Sequence, residues 1–398
     1  MREHLRRARR GSRRFMRDLI FVSLEDWDDI WRRNQFLCAA LARRYPQMKI
    51  LFVGLPRNVS HHLRHGSLGE LRGKATWSVP GFQNITVTRA LKLLPDSITA
   101  GRAFNEMAAR RHIRSVAGSL GMKEPILWLN PHSAAHMAGR MNEKAVIYDI
   151  TDDWAMAPSF SEWERKLIVE QDRNLCARAD LVIVCSEALE KSRRARCKRL
   201  LRLPNGVDSE HYASIPGSAE TNRWARPVFG YTGTIHADRF DVELVAGLAA
   251  SFAEGSVVLV GPNHLTAGDK KKLAAHENIH ITGPVPYAEI AGVMAQFDVC
   301  IVPHVETTFT NSLNPLKLWE YLAAGKPIVS TNVAGFSSYP RLCRIASGVD
   351  AFARACGKAL GENGAHQAER RTEARKHSWD QRIEVLLQTM GSAGMLQG

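Results

Sequence analysis

The sequence has no apolar run that approaches the roughly 20 residues a membrane-spanning helix requires. Its first apolar stretch, LIFVSL, is short and is followed by acidic residues, so we expect neither a membrane anchor nor a signal peptide. The seven cysteines show no CxxC pair and no zinc-ligand spacing. This scarcity favours a reduced, cytoplasmic protein without a metal site.

Positive charge, by contrast, is in excess. The formal net charge is +14, and residues 1–17 alone contain eight arginines. Such an arm can bind nucleic acid, attach to the anionic inner face of the cell membrane, or remain solvated. Because no nucleic-acid-binding motif follows it, we expect a peripheral membrane contact or a solvated leader, and no nucleic acid.

Strand and helix patterns alternate along a chain whose 398 residues suffice for two hydrophobic cores. The segments DLIFVSL, FLCAALARRY and MKILFVG form a strand–helix–strand unit, which indicates a parallel sheet. The same strand–helix–strand pattern begins again with the segments PVFGYTGTI and SVVLVGP. Between the two, WSVPGFQNITVTRALKLLP suggests a hairpin. The pattern therefore predicts an α/β protein with two doubly wound, Rossmann-like parallel-sheet domains.

Residues 311–331, NSLNPLKLWEYLAAGKPIVST, predict a loop, a helix and a short buried strand. Asn314 is a good N-cap and Pro315 suits the first helical position. We expect the helix to run to about Ala324 and to end at Gly325.

Lys317 would then lie in the first helical turn, where the helix dipole disfavours a cation unless an anion shares the site. A phosphate or diphosphate would account for it. Glu320 follows one turn later on the same face. The alternative is a surface Lys–Glu pair on an ordinary amphipathic helix.

The run NPLKLWEYLAAGKPIVST resembles the donor-site segment of GT-B glycosyltransferases of group 1, the family-four kind. ADLVIVCSEAL, RLLRLPNGVDSEHY and NIHITGPVPYAEIAGVMAQFDVCIVPH resemble further family segments, so the likeness spans about residues 18–390. It implies two domains facing across a cleft, with the donor bound mainly by the second. Lys317 would meet the nucleotide diphosphate, and Glu320 would hold the ribose hydroxyls.

Other donor contacts follow from residue type and from the resemblance. Gly233 would permit close backbone approach to a ligand, and Thr234 offers a hydroxyl there. The resemblance implies that Arg239 would bind the phosphate, the alternative being a solvated surface residue, and that Val285 would line the base pocket through its backbone. The remaining candidates precede or open the helix of the 311–331 segment: Asn311, Asn314 and Leu316. Ser312 stands where the family often has a glutamate beside the donor sugar.

Polar residues follow two strands of the first half, PILWLN and KAVIYDI, at the edge where parallel sheets bind ligands. His132, Asp152 and Asp153 are therefore catalytic candidates, since a carboxylate there could deprotonate an acceptor hydroxyl. The aspartates could instead begin the following helix or hold a metal ion. Trp27 and Trp31 could face a sugar or lipid, although packing against a sheet edge is favoured.

The predicted boundaries are a basic arm (1–17), an acceptor-side domain (18–212), a linker (213–227), a nucleotide-sugar-binding domain (228–378) and a helix returning to the first domain (379–398). The predicted function is metal-independent glycosyl transfer without a cofactor. A nucleotide sugar, expected to be a UDP-sugar, serves as co-substrate. The expected acceptor is a carbohydrate or a lipid-linked molecule in bacterial cell-surface polysaccharide or glycolipid synthesis.

Retention of configuration is favoured, whereas inversion would require an aspartate such as Asp152 or Asp153. Two other functions stay open. One is a catalytically silent scaffold that binds a nucleotide or a membrane, and the other is a nucleotide-sugar 2-epimerase on the same fold.

Overall fold

A computed structural model describes residues 16–59, 74–96, 98–213, 223–362 and 364–396. The predictions for the basic arm (1–17) and the linker (213–227) therefore lie largely outside the described residues. Within the described ranges, no helix combines the length and apolar character needed to cross a membrane.

The N-terminal half is built on an eight-stranded sheet with the spatial order β10–β9–β8–β7–β1–β2–β5–β4. Its strands are β1 (Leu19–Val22), β2 (Ile50–Val53), β4 (Thr76–Val79), β5 (Phe82–Thr88), β7 (Ile126–Leu129), β8 (Ala145–Ile150), β9 (Leu181–Val184) and β10 (Leu200–Arg202), with β3 (Arg57–Asn58) and β6 (Leu91–Lys92) paired separately. Its helices are α1 (Arg33–Arg44), α2 (Thr99–Ser119), α3 (Glu162–Arg178), α4 (Glu187–Arg193) and α5 (Ser209–Ala213).

The C-terminal half is built on a six-stranded sheet with the order β15–β13–β11–β16–β17–β18. Its strands are β11 (Val228–Thr232), β13 (Ser256–Val260), β15 (Ile279–Gly283), β16 (Val299–Val302), β17 (Ile328–Ser330) and β18 (Arg344–Ile345), beside the small pair β12 (Ile235–His236) and β14 (Asn263–His264). Its helices are α6 (Val242–Ser251), α7 (Ala267–Ala274), α8 (Tyr287–Ala295), α9 (Leu316–Ala324), α10 (Val349–Leu360), α11 (Gly364–Arg375) and α12 (Trp379–Ser392).

The two sheets repeat one topology, which confirms the prediction of two doubly wound domains. In each, the first strand lies between the second and the fourth of its parallel series, and the described pairings are parallel except for the β4–β5 hairpin. The strand order therefore reverses between β1 and β7 and between β11 and β16. Doubly wound sheets bind ligands at such a point, beyond the carboxyl ends of the strands.

Strand β1 shows why the sheets read as continuous apolar runs in the sequence. Leu19 and Phe21 pack into the core on one face, and Ile20 and Val22 into the core on the other. Helices cover both faces, so alternate residues are equally buried.

The last helix, α12, packs into the core of the N-terminal half. Trp379 is buried and its ring stacks on Phe36 with centroids 5.1 Å apart. A Cβ on Gly206 would come within 2.9 Å of the Trp379 ring, so glycine is required at the end of the LPNG segment. Trp379 thus anchors this last helix to the core of the N-terminal half.

Helix α9 differs from prediction at its beginning. Pro315 is extended (φ −70°, ψ 126°) and serves as the N-cap, and Leu316 is the first helical residue. The Asn314 side chain instead accepts a hydrogen bond from the backbone N–H of Asn205 at 2.8 Å. The tertiary contact therefore replaces the local cap, whereas the helix ends at Gly325 as predicted, with φ 74°.

Direct contacts join the two halves around the loop before α9. The Ser186 hydroxyl donates to the backbone carbonyl of Ser312 at 2.6 Å, and the Tyr287 backbone N–H donates to the Asp29 carbonyl at 2.7 Å. A small buried cluster adds apolar contact, with Ala157 from the first half and Phe309 from the second. These contacts hold the two carboxyl-end edges face to face.

Candidate active site

A cleft of about 620 Å³ separates the carboxyl-end edges of the two sheets. The predicted site residues that line it are Asp152, Gly233, Thr234, Arg239, Val285, Asn314, Leu316, Lys317 and Glu320. Three others do not line it: His132, Asp153 and Asn311. The cleft therefore gathers residues from both halves at the two points where strand order reverses.

Glycines in the loops after β11 and β13 allow the backbone to lie close to Lys317 on one wall of the cleft. Gly233 directly follows β11 and has φ 126°, and a Cβ there would lie 2.5 Å from the Lys317 Nζ atom. Gly261 follows β13 with φ 142°, and its Cβ would meet the Gly233 carbonyl oxygen at 2.3 Å. Both positions need glycine for conformation and for space. The resulting wall is bare backbone beside a lysine.

Two cations face the cleft without forming a direct salt bridge to a described residue. The Lys317 Nζ atom lies 5.0 Å from the centroid of the Tyr231 ring, and neither Lys317 nor Arg239 forms an ion pair with a described residue. Arg239 lies over the Phe309 ring at 5.7 Å, and its buried Nε finds no hydrogen-bond partner in the described part of the chain. With the positive end of the α9 dipole, they form an anion-binding wall.

His304 lies behind this wall, buried at the end of β16. Burial, followed by the charges of Lys317 and Arg239, holds the pKa of His304 well below its usual range. Its Nε2 atom lies 3.2 Å from the Tyr231 hydroxyl. The imidazole is therefore neutral, and it keeps the Tyr231 ring in place under Lys317.

Glu320 is held one turn below Lys317. Burial raises the pKa of Glu320, while the Lys317 charge and a hydrogen bond from the Tyr212 hydroxyl oppose the rise. A fixed carboxylate at this depth can accept hydrogen bonds from hydroxyl groups of a ligand. This geometry agrees with a Lys–Glu pair that faces a ligand and not bulk solvent.

The opposite wall carries two carboxylates, Asp152, which the sequence pattern predicts, and Glu25, which it does not. Burial raises the pKa of Asp152, and the Arg239 charge and a hydrogen bond from Thr151 oppose it. Burial also raises the pKa of Glu25 to about 7, with Arg32 opposing the shift and Asp152 adding to it. The position of Glu25, after the first strand and at the reversal of strand order, is the signal that would have found it.

Asp153 and His132 have other partners. Asp153 accepts two hydrogen bonds from the Arg193 guanidinium, each of 2.9 Å, and Asp172 binds the same guanidinium at 3.2 Å. The Nδ1 atom of His132 lies 2.8 Å from the Gln171 amide oxygen.

The alternative role for the aspartates, as the start of the following helix, is wrong, because Ser161 caps α3 and its hydroxyl accepts a hydrogen bond from the Glu164 backbone N–H. Of the two tryptophans of the first loop, Trp27 packs against the sheet as favoured. The Trp27 ring meets Phe52 edge-on at 5.0 Å, and Trp31 stacks on Tyr287 at 5.4 Å while also lining the cleft.

The loop before α9 is held by hydrogen bonds at Ser312 and Asn314. Asn311 is exposed, and the buried Ser312 hydroxyl donates to the Phe309 carbonyl at 2.7 Å. The Asn314 carbonyl accepts from the Asn205 amide at 2.5 Å. Behind it, the buried Arg33 donates to Asn205 and pairs with Asp149. The residue that replaces the expected glutamate thus faces its own loop.

Among the residues that the structure covers, no group of three or more histidine, cysteine, aspartate or glutamate side chains is placed to hold a metal ion.

Comparison with known proteins adds to this geometry. Residues 226–362 match the family model described as Glycosyl transferases group 1. A protein of Bacillus subtilis (strain 168), named as a teichuronic acid biosynthesis glycosyltransferase, TuaH, is 30% identical over 392 residues, which cover 91% of this chain and 94% of that protein.

Solved structures share the fold at low identity. Sucrose-phosphate synthase of Thermosynechococcus elongatus superposes with a TM-score of 0.69 at 14% identity, over 95% of this chain and 100% of that one. HepE of Anabaena, solved with UDP and glucose, gives 0.65 at 15% identity, over 94% and 99%. A trehalose-phosphate synthase of Burkholderia vietnamiensis gives 0.67 at 13% identity, over 95% and 99%.

Proposed function

The chain belongs to the group 1 glycosyl transferases and has their GT-B fold, and we propose that it transfers a glycosyl group from a UDP-sugar to an acceptor hydroxyl. The observation that carries this proposal is the wall formed by Gly233, Lys317 and the beginning of α9, where positive charge without a direct salt bridge meets bare backbone. HepE, which shares the fold, is solved with UDP and with UDP-glucose. Its uridine nucleotide supports the choice of base.

In the proposed reaction, the bond between the sugar C1 and the diphosphate oxygen breaks, and a bond from C1 to the acceptor oxygen forms. Negative charge develops on the leaving diphosphate. Lys317, Arg239 and the α9 dipole stabilise that charge, so the step needs no metal ion. Glu320, held by Tyr212, accepts hydrogen bonds from the ribose hydroxyls, and Val285 borders the base.

The acceptor proton must also have a destination. We propose transfer with retention, in which the leaving phosphate takes this proton on the face where the acceptor attacks. A solved relative of the fold, trehalose-6-phosphate synthase, is described in terms of transfer with retention. Inversion would instead require a base on the opposite wall, and there Asp152 and Glu25 are the available carboxylates.

The name of the Bacillus subtilis relative supports a place in cell-surface polysaccharide synthesis. The donor wall lies in the C-terminal half, so the acceptor would enter from the N-terminal half of the cleft. A carbohydrate chain or a lipid-linked sugar is the proposed acceptor class.

The test is a thermal-shift panel with UDP, GDP, TDP and ADP on the wild type, Lys317→Ala and Glu320→Ala. One diphosphate at 100 times its Kd stabilises the folded state by about 2.7 kcal/mol. We expect UDP to raise the Tm of the wild type and to have little effect on either variant. Lys358→Ala, an exposed lysine on α10, is the matched control and should respond like the wild type.

A wild type that responds to none of the four nucleotides would overturn the donor site. A UDP response combined with no transfer of radiolabelled sugar to any membrane or carbohydrate fraction would favour the silent scaffold. Conversion of the UDP-sugar to its 2-epimer, with no acceptor present, would favour the epimerase.

A further inference from the structure

A second cavity of about 530 Å³ lies in the N-terminal half beside the cleft. Leu24, at the end of β1, lines both spaces, so the two adjoin where the strand order reverses. Apolar side chains form most of its walls, among them Leu91, Ala109, Ile113, Met137, Phe160 and Leu167. Concave, apolar space of this kind is suited to a hydrocarbon chain.

The cavity opens on an exposed apolar surface. Thirteen large hydrophobic side chains are exposed in the described residues, and six of them lie within residues 91–107. We call this set the apolar face: Leu91, Leu93, Leu94, Ile98, Phe104 and Met107. Leu91 belongs both to the apolar face and to the wall of the cavity, and Ile98 and Met107 are more than half exposed. A concentration of this kind marks an interaction surface.

On helix α2, part of the apolar face lies next to a group of arginines. Phe104, Met107, Arg111 and Arg114 are spaced by three, four and three residues, so they lie along one stripe. The opposite stripe, which includes Ile113, is buried. Arg111 and Arg114 form no ion pair with any residue for which the structure gives a position. One solvent-facing stripe therefore places aromatic and aliphatic groups next to unpaired positive charge.

The apolar face and the neighbouring arginines together favour one partner, an anionic membrane. Apolar side chains that insert at the acyl boundary, with arginines at the level of the phosphates, are the pattern of interfacial binding to an anionic membrane. A protein partner would have to match the same chemistry while leaving the cavity mouth open for a chain. The adjoining cavity instead gives a membrane lipid a path from the bilayer to the cleft.

We infer that the acceptor is lipid-linked, with its hydrocarbon chain in the second cavity and its sugar in the cleft, while the apolar face rests on an anionic membrane. This inference rests on the proposed function, because the hydroxyl it delivers must reach a donor sugar beside Lys317. His132, which lines the cavity and not the cleft, then borders the lipid and not the reacting bond.

The first experiment measures co-sedimentation of the full chain with vesicles of phosphatidylcholine, with and without phosphatidylglycerol. The wild type should bind the mixed vesicles, and Phe104→Glu/Met107→Glu should bind at least about tenfold more weakly. The matched control is Ile281→Glu/Val385→Glu, which places the same charges on exposed apolar positions elsewhere and should bind like the wild type. The basic arm is present in every variant, so it cannot produce the difference.

Equal vesicle binding by the wild type and Phe104→Glu/Met107→Glu would overturn the inference. It would also be overturned if high salt abolished the vesicle binding of both proteins to the same extent. A wild-type dimer that this variant converts to monomer would assign the apolar face to a second copy instead. The UDP thermal shift is measured on the same samples. Its absence from the wild type would count against the proposed function, whereas its presence with unchanged vesicle binding would count against the membrane surface alone.

The second experiment fills the cavity. Ala109→Trp places a large ring on a cavity-lining position of α2, and Ala103→Trp places the same ring on the exposed side. Dodecyl phosphate, titrated by calorimetry, should bind the wild type and Ala103→Trp, and Ala109→Trp about tenfold more weakly. Methyl phosphate should bind none of them measurably. Equal affinity of dodecyl phosphate for all three proteins would place the chain elsewhere and overturn the cavity assignment.

Discussion

The two walls of the cleft are built in different ways. In the C-terminal wall, α9 supplies Lys317 and Glu320 from one short segment, and Gly233 leaves space for Lys317. In the N-terminal wall, Glu25 and Asp152 come from loops more than a hundred residues apart. The first wall is a local device that a single stretch of sequence encodes. The second wall exists only after the sheet has formed. The first wall can therefore be predicted from the sequence, whereas the second cannot.

Removing the cation of the local wall should have the largest effect. We expect Lys317→Ala to lower kcat/KM about 10²–10³-fold, because it removes charge aimed at the leaving diphosphate. Transfer from radiolabelled UDP-sugar measures this loss, with Lys358→Ala as control. A loss below about threefold would mean that the wall does not act on the leaving group.

Gly233→Ala tests whether the space for Lys317 is required. The new Cβ would lie 2.5 Å from the Lys317 Nζ atom in a backbone conformation with φ 126°. We expect about 1–3 kcal/mol lower stability and at least tenfold weaker UDP binding, measured by chemical denaturation and calorimetry.

Gly292→Ala, in α8, is the matched control. No heavy atom lies within 4 Å of its added Cβ, and its φ is not positive. Since alanine is the better helix former, this change should raise stability by up to about 1 kcal/mol and leave UDP binding unchanged. Similar behaviour of the two variants would show that the Gly233 backbone tolerates a side chain.

The assembled wall predicts a pH dependence of stability through Glu25. The pKa of Glu25 is about 7 in the folded protein, against an ordinary value of 4.5, so the folded state binds the proton more tightly. Its contribution is fully present below about pH 4.5 and is lost as pH rises through 7. Because the side chain is partly exposed, we expect Glu25→Gln to be more stable than the wild type by only about 1 kcal/mol at pH 8 and equal to it at pH 4.5.

Thermal unfolding at both pH values measures this difference. If Glu25 also takes the acceptor proton, kcat/KM of the wild type should rise through pH 7 and that rise should vanish in Glu25→Gln. If the stability difference between Glu25→Gln and the wild type is the same at both pH values, the pKa of Glu25 is not raised.

The smallest effect is expected at a predicted donor residue that lies outside the cleft. Asn311 is exposed, so Asn311→Ala should change UDP affinity and transfer rate less than twofold. Asn314→Ala is the contrast, because it removes the hydrogen bond to the Asn205 backbone and should lower stability by about 1 kcal/mol. A tenfold loss of UDP affinity in Asn311→Ala would mean that its loop closes over the donor.

The doubly wound fold was predictable because the central strands are buried on both faces and read as apolar runs, as β1 does. The Lys317–Glu320 pair was predictable because the position of a lysine in a first helical turn is a local anomaly. The α9 cap was not, since Asn314 gains more from Asn205 in the other half than from its own helix. Glu25 could not be predicted for the same reason, because the neighbour that helps to raise its pKa, Asp152, comes from a separate loop.

The anchoring of the loop before α9 has a consequence for engineering chimeric enzymes. Ser312 and Asn314 bind Ser186 and Asn205, so this loop belongs by sequence to the C-terminal half and by contact to the N-terminal half. A graft of residues 228–378 onto a relative would move this loop without the two side chains that bind it. We expect such hybrids to function only when the host protein supplies equivalents of Ser186 and Asn205. These two side chains would then determine which relatives can exchange domains.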